Sequence, residues 1–175
     1  ALVSQGSNPH YLTAVKFNPD RLVLTMDINE LVTACDVIIL ATPSIYLADT
    51  IEKMTCDYSG KIFASVIKGI VPKHNDIVAN YLRDTFNIGY RNQAVLAGPC
   101  HAEEVAMERL SFLTVAAASK ETTQMLSDLL SSRYIRINQS NDILGNEYSA
   151  VLKNIYAIGA GMANGLGYGD NFQAV

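Results

Sequence analysis

The sequence has little of three features that would point to a membrane, to nucleic acid or to secretion. Its longest apolar runs, such as Val37 to Ala41, span about five residues, far below the roughly 20 that cross a bilayer. Its 13 Lys and Arg against 17 Asp and Glu give a net charge of −4 without any basic stripe, so we expect neither nucleic-acid binding nor a membrane span. The first residues contain no basic patch followed by an apolar core, so no signal peptide is expected.

Paired cysteines and metal motifs are also lacking. Cys35, Cys56 and Cys100 are an odd number without CxxC spacing, which favours reduced thiols in a cytoplasmic protein over a disulfide framework. Cys100 and His101 are adjacent, but neither a CxxC nor an HExxH motif supplies further ligands. We therefore expect no zinc site.

No GxGxxG motif precedes the first predicted strand, although this Gly-rich turn normally opens a dinucleotide-binding sheet. Short apolar runs nevertheless alternate with helical patterns, which predicts an α/β fold: a Rossmann-like, mainly parallel sheet with helices on both faces. Ligand-binding loops are expected at the carboxyl ends of the strands. The predicted strands are 22–25, 37–41, 61–67, 93–97, 111–118 and 134–138. The predicted helices are 28–34, 44–54, 76–86, 101–108 and 119–130, and Asp27, Ser44 and Ser119 are the expected N-caps. The last of these helices is expected to present one apolar face, formed by Met125, Leu126, Leu129 and Leu130.

From about Asn141 the pattern becomes continuously helical as far as Met162. We therefore predict two domains: residues 1–140 form a dinucleotide-binding domain without its first strand and Gly-rich loop, and residues 141–175 begin an all-helical substrate domain. A chain cut at both ends is expected. The side chains expected to face inward are Leu144, Tyr148, Val151, Leu152, Ile155 and Ile158.

Three constellations carry chemically useful groups. Lys68-Gly69 ends a predicted strand, where the amine can reach an anion and Gly allows close approach, although a solvated loop Lys beside a turn Gly is the favoured interpretation of these two residues alone. The segment 98–104 offers free amides at a helix start, a ready anion site; Cys100 is a possible nucleophile there, but a small residue packed in a tight turn is the simpler interpretation. Lys153 lies among apolar residues, so its amine either extends to water or is partly desolvated and suited to proton transfer.

Together these segments resemble one known family. The matching stretches are Ser65-Val-Ile-Lys-Gly-Ile70, Ala97-Gly-Pro-Cys-His-Ala-Glu-Glu-Val-Ala106, Leu152-Lys-Asn-Ile-Tyr-Ala-Ile-Gly-Ala-Gly161 and Asn164-Gly-Leu-Gly-Tyr-Gly-Asp-Asn171. In this order they resemble the NAD(P)-dependent glycerol-3-phosphate dehydrogenase family of bacterial type. The resemblance extends over nearly the whole chain and includes Cys35 to Ser44.

The resemblance implies reversible hydride transfer between NAD or NADP and carbon 2 of a phosphorylated three-carbon substrate. Dihydroxyacetone phosphate and sn-glycerol 3-phosphate would be interconverted, and the product would supply phospholipid synthesis. The enzyme is expected to be cytoplasmic, and a homodimer is one expected state. Lys153 matches the family's proton donor and acceptor. The other implied roles are substrate binding by Lys68, Gly98, Cys100 and Asn154, and cofactor binding by Lys68, Ala102, Tyr11, Thr42 and Pro43.

One departure from the family pattern concerns the substrate loop: Gly98-Pro99-Cys100-His101 replaces Gly-Pro-Ser-Phe, which exchanges a hydroxyl for a weakly hydrogen-bonding thiol. A second is that the family's Gly-rich loop and its Asp and Arg-Asn ligands do not appear, so the 175 residues alone are expected to be nearly inactive. Two alternatives stay open: a dehydrogenase of the 6-phosphogluconate or hydroxyacyl-CoA type, and a non-catalytic fragment or binding module of the same fold.

Overall fold

Strands and helices alternate in the computed structural model, which describes residues 6–8, 12 and 15–173. The strands are β1 (Val37–Leu40), β2 (Ile62–Ser65), β3 (Gln93–Ala97), β4 (Ser111–Ala117) and β5 (Ile135–Ser140). The helices are α1 (Ile28–Ala34), α2 (Ser44–Ile51), α3 (Val78–Phe86), α4 (Ala102–Ala106), α5 (Lys120–Leu130), α6 (Ile143–Gly165) and α7 (Asp170–Gln173), with 3-10 turns at Pro19–Arg21 and Tyr90–Asn92. The predicted strand at 22–25 is wrong: this segment is not a strand, and Val23 and Leu24 are exposed.

The five strands form one sheet in the order β1-β2-β3-β4-β5. Three neighbouring pairs are parallel, which confirms the mainly parallel sheet, whereas β3 and β4 are antiparallel. The connection between these two strands covers residues 98–110 and contains the five-residue helix α4. The carboxyl ends of β1, β2 and β3 therefore share one edge of the sheet with the start of β4.

Side-chain caps fix the starts of two predicted helices. The carboxylate of Asp27 accepts a hydrogen bond from the Asn29 amide at 2.8 Å, and the Ser119 hydroxyl accepts one from the Thr122 amide at 3.3 Å. Both capping predictions are thereby confirmed. The prediction for Ser44 is wrong, because Ser44 is the first helical residue and Pro43 occupies the cap position without a side-chain bond.

Helices cover both faces of the sheet, as predicted. Neighbouring residues of a strand point to opposite faces, and Ala94 packs in a cluster with Leu126 of α5 while Val95 packs with Ile143 of α6. A third cluster joins β1 and β2 to α1, α2 and α3. The predicted apolar face of α5 is only partly correct: Leu126 is fully buried and Leu130 is half-buried, but Met125 and Leu129 are exposed.

Helix α6 differs most from its prediction. Four side chains expected to face inward are exposed: Tyr148, Leu152, Ile155 and Ile158. The buried side chains are instead Ile143, Glu147 and Ala163, while Leu144 and Val151 are half-buried. The first half of α6 packs on β3, β4 and α3 along a narrow stripe, so apolar residues beside this stripe face away from the sheet. Within the described residues, no helix combines the length and apolar character needed to span a membrane.

Candidate active site

Three loops that carry predicted site residues leave the same edge of the sheet. Thr42 and Pro43 follow β1, Lys68 follows β2, and Gly98 follows β3. Since these strands are mutually parallel, their carboxyl ends lie side by side. This is the position where open α/β sheets bind ligands.

The first two loops line a solvent-open cavity of about 370 Å³. Thr42 and Lys68 are in its lining, and Lys68 is exposed to solvent. The loops approach closely, because a Cβ added to Gly69 would lie 2.9 Å from the Ser44 Oγ. The structure thus brings together Thr42, Pro43 and Lys68, three residues predicted to contact a cofactor. The lining residues are Ala41, Thr42, Pro43, Ser44, Val66, Ile67, Lys68 and Gly69.

Gly98 is required by the backbone of the third loop. Its φ is +133°, and a Cβ at this position would lie 2.7 Å from the Phe112 carbonyl oxygen of neighbouring β4. Any other residue would be strained in φ and would clash with the sheet. The Gly98 carbonyl accepts a hydrogen bond from the Cys100 amide at 3.0 Å, and the chain then enters α4, where Ala102 is exposed. Cys100 is half-buried with a free thiol.

Lys153 and Asn154 lie on α6 and do not line the cavity between the first two loops. Both side chains are exposed. The partial desolvation considered for Lys153 is therefore wrong for the described chain, because its apolar neighbours Leu152 and Ile155 are exposed as well. In the part of the chain that the structure describes, neither Lys68 nor Lys153 has a hydrogen bond or an ion pair. Two cations are thus available to anionic ligands. Tyr11 lies outside the described residues.

Sequence reasoning missed Glu147. Its side chain is completely buried, and its two carboxylate oxygens accept hydrogen bonds from the amides of Val78 and Ala79 at 2.9 and 3.0 Å. Burial raises the pKa of Glu147 to about 7; the two amides act in the opposite direction, and the nearby Asp76 carboxylate adds to the rise. One sequence signal was available: Glu147 stands four residues after Ile143 and four before Val151, on the stripe that packs inward.

Comparisons with known proteins decide the family. A family model described as the NAD-dependent glycerol-3-phosphate dehydrogenase N-terminus matches residues 1–123, and the corresponding C-terminus model matches residues 142–175. The chain belongs to the NAD-dependent glycerol-3-phosphate dehydrogenase family. The resemblance seen in its motifs is confirmed.

Relatives and solved structures agree with this family. The chain is 34% identical to glycerol-3-phosphate dehydrogenase [NAD(P)+] of Latilactobacillus sakei over 97% of its own length and 51% of that protein. It is 36% identical to the enzyme of the same name from Agathobacter rectalis over 89% of its length and 46% of that protein. Among solved structures, Plasmodium falciparum glycerol-3-phosphate dehydrogenase superposes with a TM-score of 0.86 at 26% identity, covering 99% of this chain and 48% of that one. The chain spans about half the length of the curated relatives it matches.

Proposed function

We propose that the protein containing this chain interconverts dihydroxyacetone phosphate and sn-glycerol 3-phosphate by hydride transfer with NAD or NADP. The observation that carries the proposal is the placement of Thr42, Lys68 and Gly98 at one edge of the sheet, in a chain of this family. That edge is where α/β sheets take nucleotides. We further propose that the product supplies glycerophospholipid synthesis.

The residues of the first two loops fit part of an anionic dinucleotide. The cavity of about 370 Å³ lies within the range of about 300–1,000 Å³ usual for small-molecule sites. Its cation is Lys68, and its other lining side chains are uncharged, including those of Thr42 and Pro43. We assign these three residues to the cofactor, together with Tyr11 and with Ala102 at the start of α4. When bound, the nicotinamide supplies or accepts the hydride at carbon 2.

We assign proton transfer at the substrate oxygen to Lys153. Its ammonium would give a proton to the carbonyl oxygen during reduction and take it back during oxidation, and its charge would stabilise the developing alkoxide. Asn154 follows it directly on the same exposed part of α6, where its carboxamide can hydrogen-bond the substrate. Because substrate and cofactor are both anionic, Lys68 can serve both.

The third loop would hold the substrate mainly through its backbone. Gly98 keeps its Cα free of side-chain atoms, so a ligand can approach the main chain there. The half-buried Cys100 offers a thiol, a weaker hydrogen-bonding group than a hydroxyl. We therefore assign substrate contacts to Gly98 and Cys100, with the backbone dominant.

The proposal is tested by replacing Lys153 in the complete protein that contains this chain. Lys153→Ala should lower kcat by about 10² to 10⁴, the usual contribution of general acid-base catalysis, in an assay of nicotinamide oxidation by dihydroxyacetone phosphate. Lys68→Ala should also raise KM. Lys120→Ala, which removes another exposed lysine at the start of α5, is the matched control and should keep kcat.

Unchanged turnover in Lys153→Ala contradicts the role given to that residue. A wild-type protein that binds nicotinamide without turnover is instead a binding module. Turnover of a 6-phosphogluconate-type or hydroxyacyl-CoA-type substrate, with none of dihydroxyacetone phosphate, contradicts the proposed substrate.

We also propose the arrangement of the complete protein. Residues 1–140 would form the dinucleotide-binding domain and residues 141–175 would begin a helical substrate domain, since β5 ends at Ser140 and α6 begins at Ile143. The exposed apolar side chains of α6, among them Ile155 and Met162, support further packing partners and a homodimer. Free thiols at all three cysteines support a cytoplasmic location. Light scattering tests the homodimer by measuring the molar mass of the complete protein in solution.

A further inference from the structure

A buried carboxylate joins two parts of the chain that are far apart in sequence. Glu147 belongs to α6, whereas the amides it accepts from, Val78 and Ala79, are the first two residues of α3, 69 and 68 positions earlier. The first amides of a helix have no partner within that helix. Glu147 supplies partners for two of them with a side chain that is completely buried.

Each of the two helices connects directly to residues of the proposed site. The segment that leaves β2 carries Lys68 and runs into α3. On α6, Lys153 follows Glu147 by six residues, about 9 Å along the helix axis. Asn154 follows by seven residues, which is about two full turns, and so lies on the same side of α6 as Glu147. The two hydrogen bonds of Glu147 therefore join α6 to the start of α3, ten residues after Lys68.

Among the hydrogen bonds of the described residues, those of Glu147 are the ones that join a side chain of α6 to the first amides of α3. An apolar cluster also joins the two helices: Ile77 and Ala79 come from the start of α3, Val95 from β3, and Ile143 and Val151 from α6. Apolar contacts are non-directional and allow a helix to slide or rotate by small amounts. The nearby charge is Asp76, which repels the carboxylate. Among the described residues, Glu147 forms no ion pair, so the two amides hold it.

We propose that Glu147 is a positioning residue for the reaction proposed above, fixing the helix that carries Lys153 and Asn154 against the start of α3. It touches neither substrate nor cofactor in this role and acts through the placement of α6. A displacement of about 1 Å in a catalytic group can lower turnover by about a hundredfold. This inference rests on the proposed function.

The test compares two variants of the complete protein that contains this chain. Glu147→Gln keeps the size of the side chain but leaves one oxygen, so one of the two buried amides faces an NH₂ group. Val32→Ala is the matched control, because Val32 is completely buried in the cluster that joins β1 and β2 to α1, α2 and α3, and the described members of this cluster include no residue of α6. Its truncation weakens the fold without removing a contact of α6. Both are assayed at a temperature where circular dichroism shows them folded.

We expect Glu147→Gln to lower kcat at least about tenfold and to leave the KM for the nicotinamide within about twofold, since Lys68 and the first two loops are unchanged. Amide hydrogen exchange at Val78 and Ala79 should quicken in this variant. Val32→Ala should keep kcat within about twofold of wild type. If Glu147→Gln does not fold, Glu147→Asp retains the carboxylate on a shorter side chain, and the same change in kcat without a change in KM is expected.

Two results overturn the inference while the proposed function stands. One is an active wild type with kcat unchanged in Glu147→Gln. The other is an equal loss of kcat in Glu147→Gln and Val32→Ala, which would reduce Glu147 to a contributor to stability. A wild type without turnover refutes the proposed function itself, and the positioning role then fails with it.

Discussion

The ionisation of Glu147 should make the stability of this chain fall as pH rises from about 5 to 8. Its pKa is raised from the ordinary value of 4.5 to about 7, so between these values the folded chain holds a proton that the unfolded chain has released. Linkage then requires the free energy of unfolding to decrease with rising pH across this window. Each pKa unit is worth about 1.36 kcal/mol, so the full effect is about 3 kcal/mol.

Urea unfolding of the 175-residue chain at several pH values measures this effect, with Glu147→Gln as the variant that cannot ionise. The wild type should lose about 3 kcal/mol relative to the variant between pH 4.5 and pH 8. The nearest other carboxylate is Asp76, while Tyr81 and Arg83 of α3 pair with Glu52 and Asp84 and β3 contributes no ionisable side chain. These groups, like His74, are present in both proteins and largely cancel in the difference.

The carboxylates whose pKa values are lowered, Glu52, Asp57, Asp84 and Glu121, affect stability only at lower pH. Their stabilisation is present above their unfolded pKa values and is lost as pH falls further. Equal pH slopes in wild type and Glu147→Gln, within about 0.5 kcal/mol, would refute the reasoning. The pKa of Glu147 would then be close to its ordinary value, and two amides would suffice to stabilise a buried charge.

Two further predictions concern stability and can be checked by thermal or urea denaturation. Gly98→Ala should lower the free energy of unfolding by about 1–3 kcal/mol, because φ is +133° and the new Cβ would lie 2.7 Å from the Phe112 carbonyl oxygen. The control is Gly89→Ala, where a Cβ meets nothing within 4 Å, and it should change stability by less than about 0.5 kcal/mol. Equal losses in the two variants would contradict the argument. Asn29→Ala should cost about 1–2 kcal/mol, because the Asn29 Oδ1 accepts from the amides of Thr55 and Cys56 at 2.7 and 2.9 Å. Asn29→Asp retains an accepting oxygen and should cost less.

Local patterns were sufficient for most of the fold. The bounds of β3 were predicted correctly because a strand buried on both faces contains little but apolar residues. The apolar run at β1 also predicted a strand, but Ile39 of β1 is exposed, so this strand is not buried on both faces. Caps such as Asp27 and Ser119 act over three residues or fewer and were therefore visible as well. The antiparallel pairing of β4 with β3 was not predicted, because the period-two pattern of a strand is the same in both directions.

The part of the candidate site that lies on the loops after the strands was predictable from the sequence, whereas the part on α6 was not. Thr42, Lys68 and Gly98 follow strands, so a parallel sheet brings them to one edge. The roles of Lys153 and Asn154 came from resemblance, since their side chains are exposed on α6 and local chemistry alone does not distinguish them from other polar residues. The burial expected for Leu152, Ile155 and Ile158 was wrong, because hydrophobicity identifies side chains that can be buried, whereas the neighbouring elements decide which of them are.

Glu147 shows what a sequence pattern can still indicate when its partners are remote. Its hydrogen-bond partners lie 68 and 69 positions away, and they become neighbours only because α3 and α6 pack on the same face of the sheet. No local rule connects these residues. The sequence does show that Glu147 departs from the apolar pattern of an inward-facing helical stripe. Its neighbours at four-residue spacing, Ile143 and Val151, are both apolar. A charge at such a position costs free energy unless buried donors satisfy it, so an apolar stripe interrupted by one acid predicts a helix start or another set of unpaired amides on the opposite element. Departures from consistency of this kind concentrate at functional positions, and here the departure lies six residues before Lys153, to which the proton transfer is assigned.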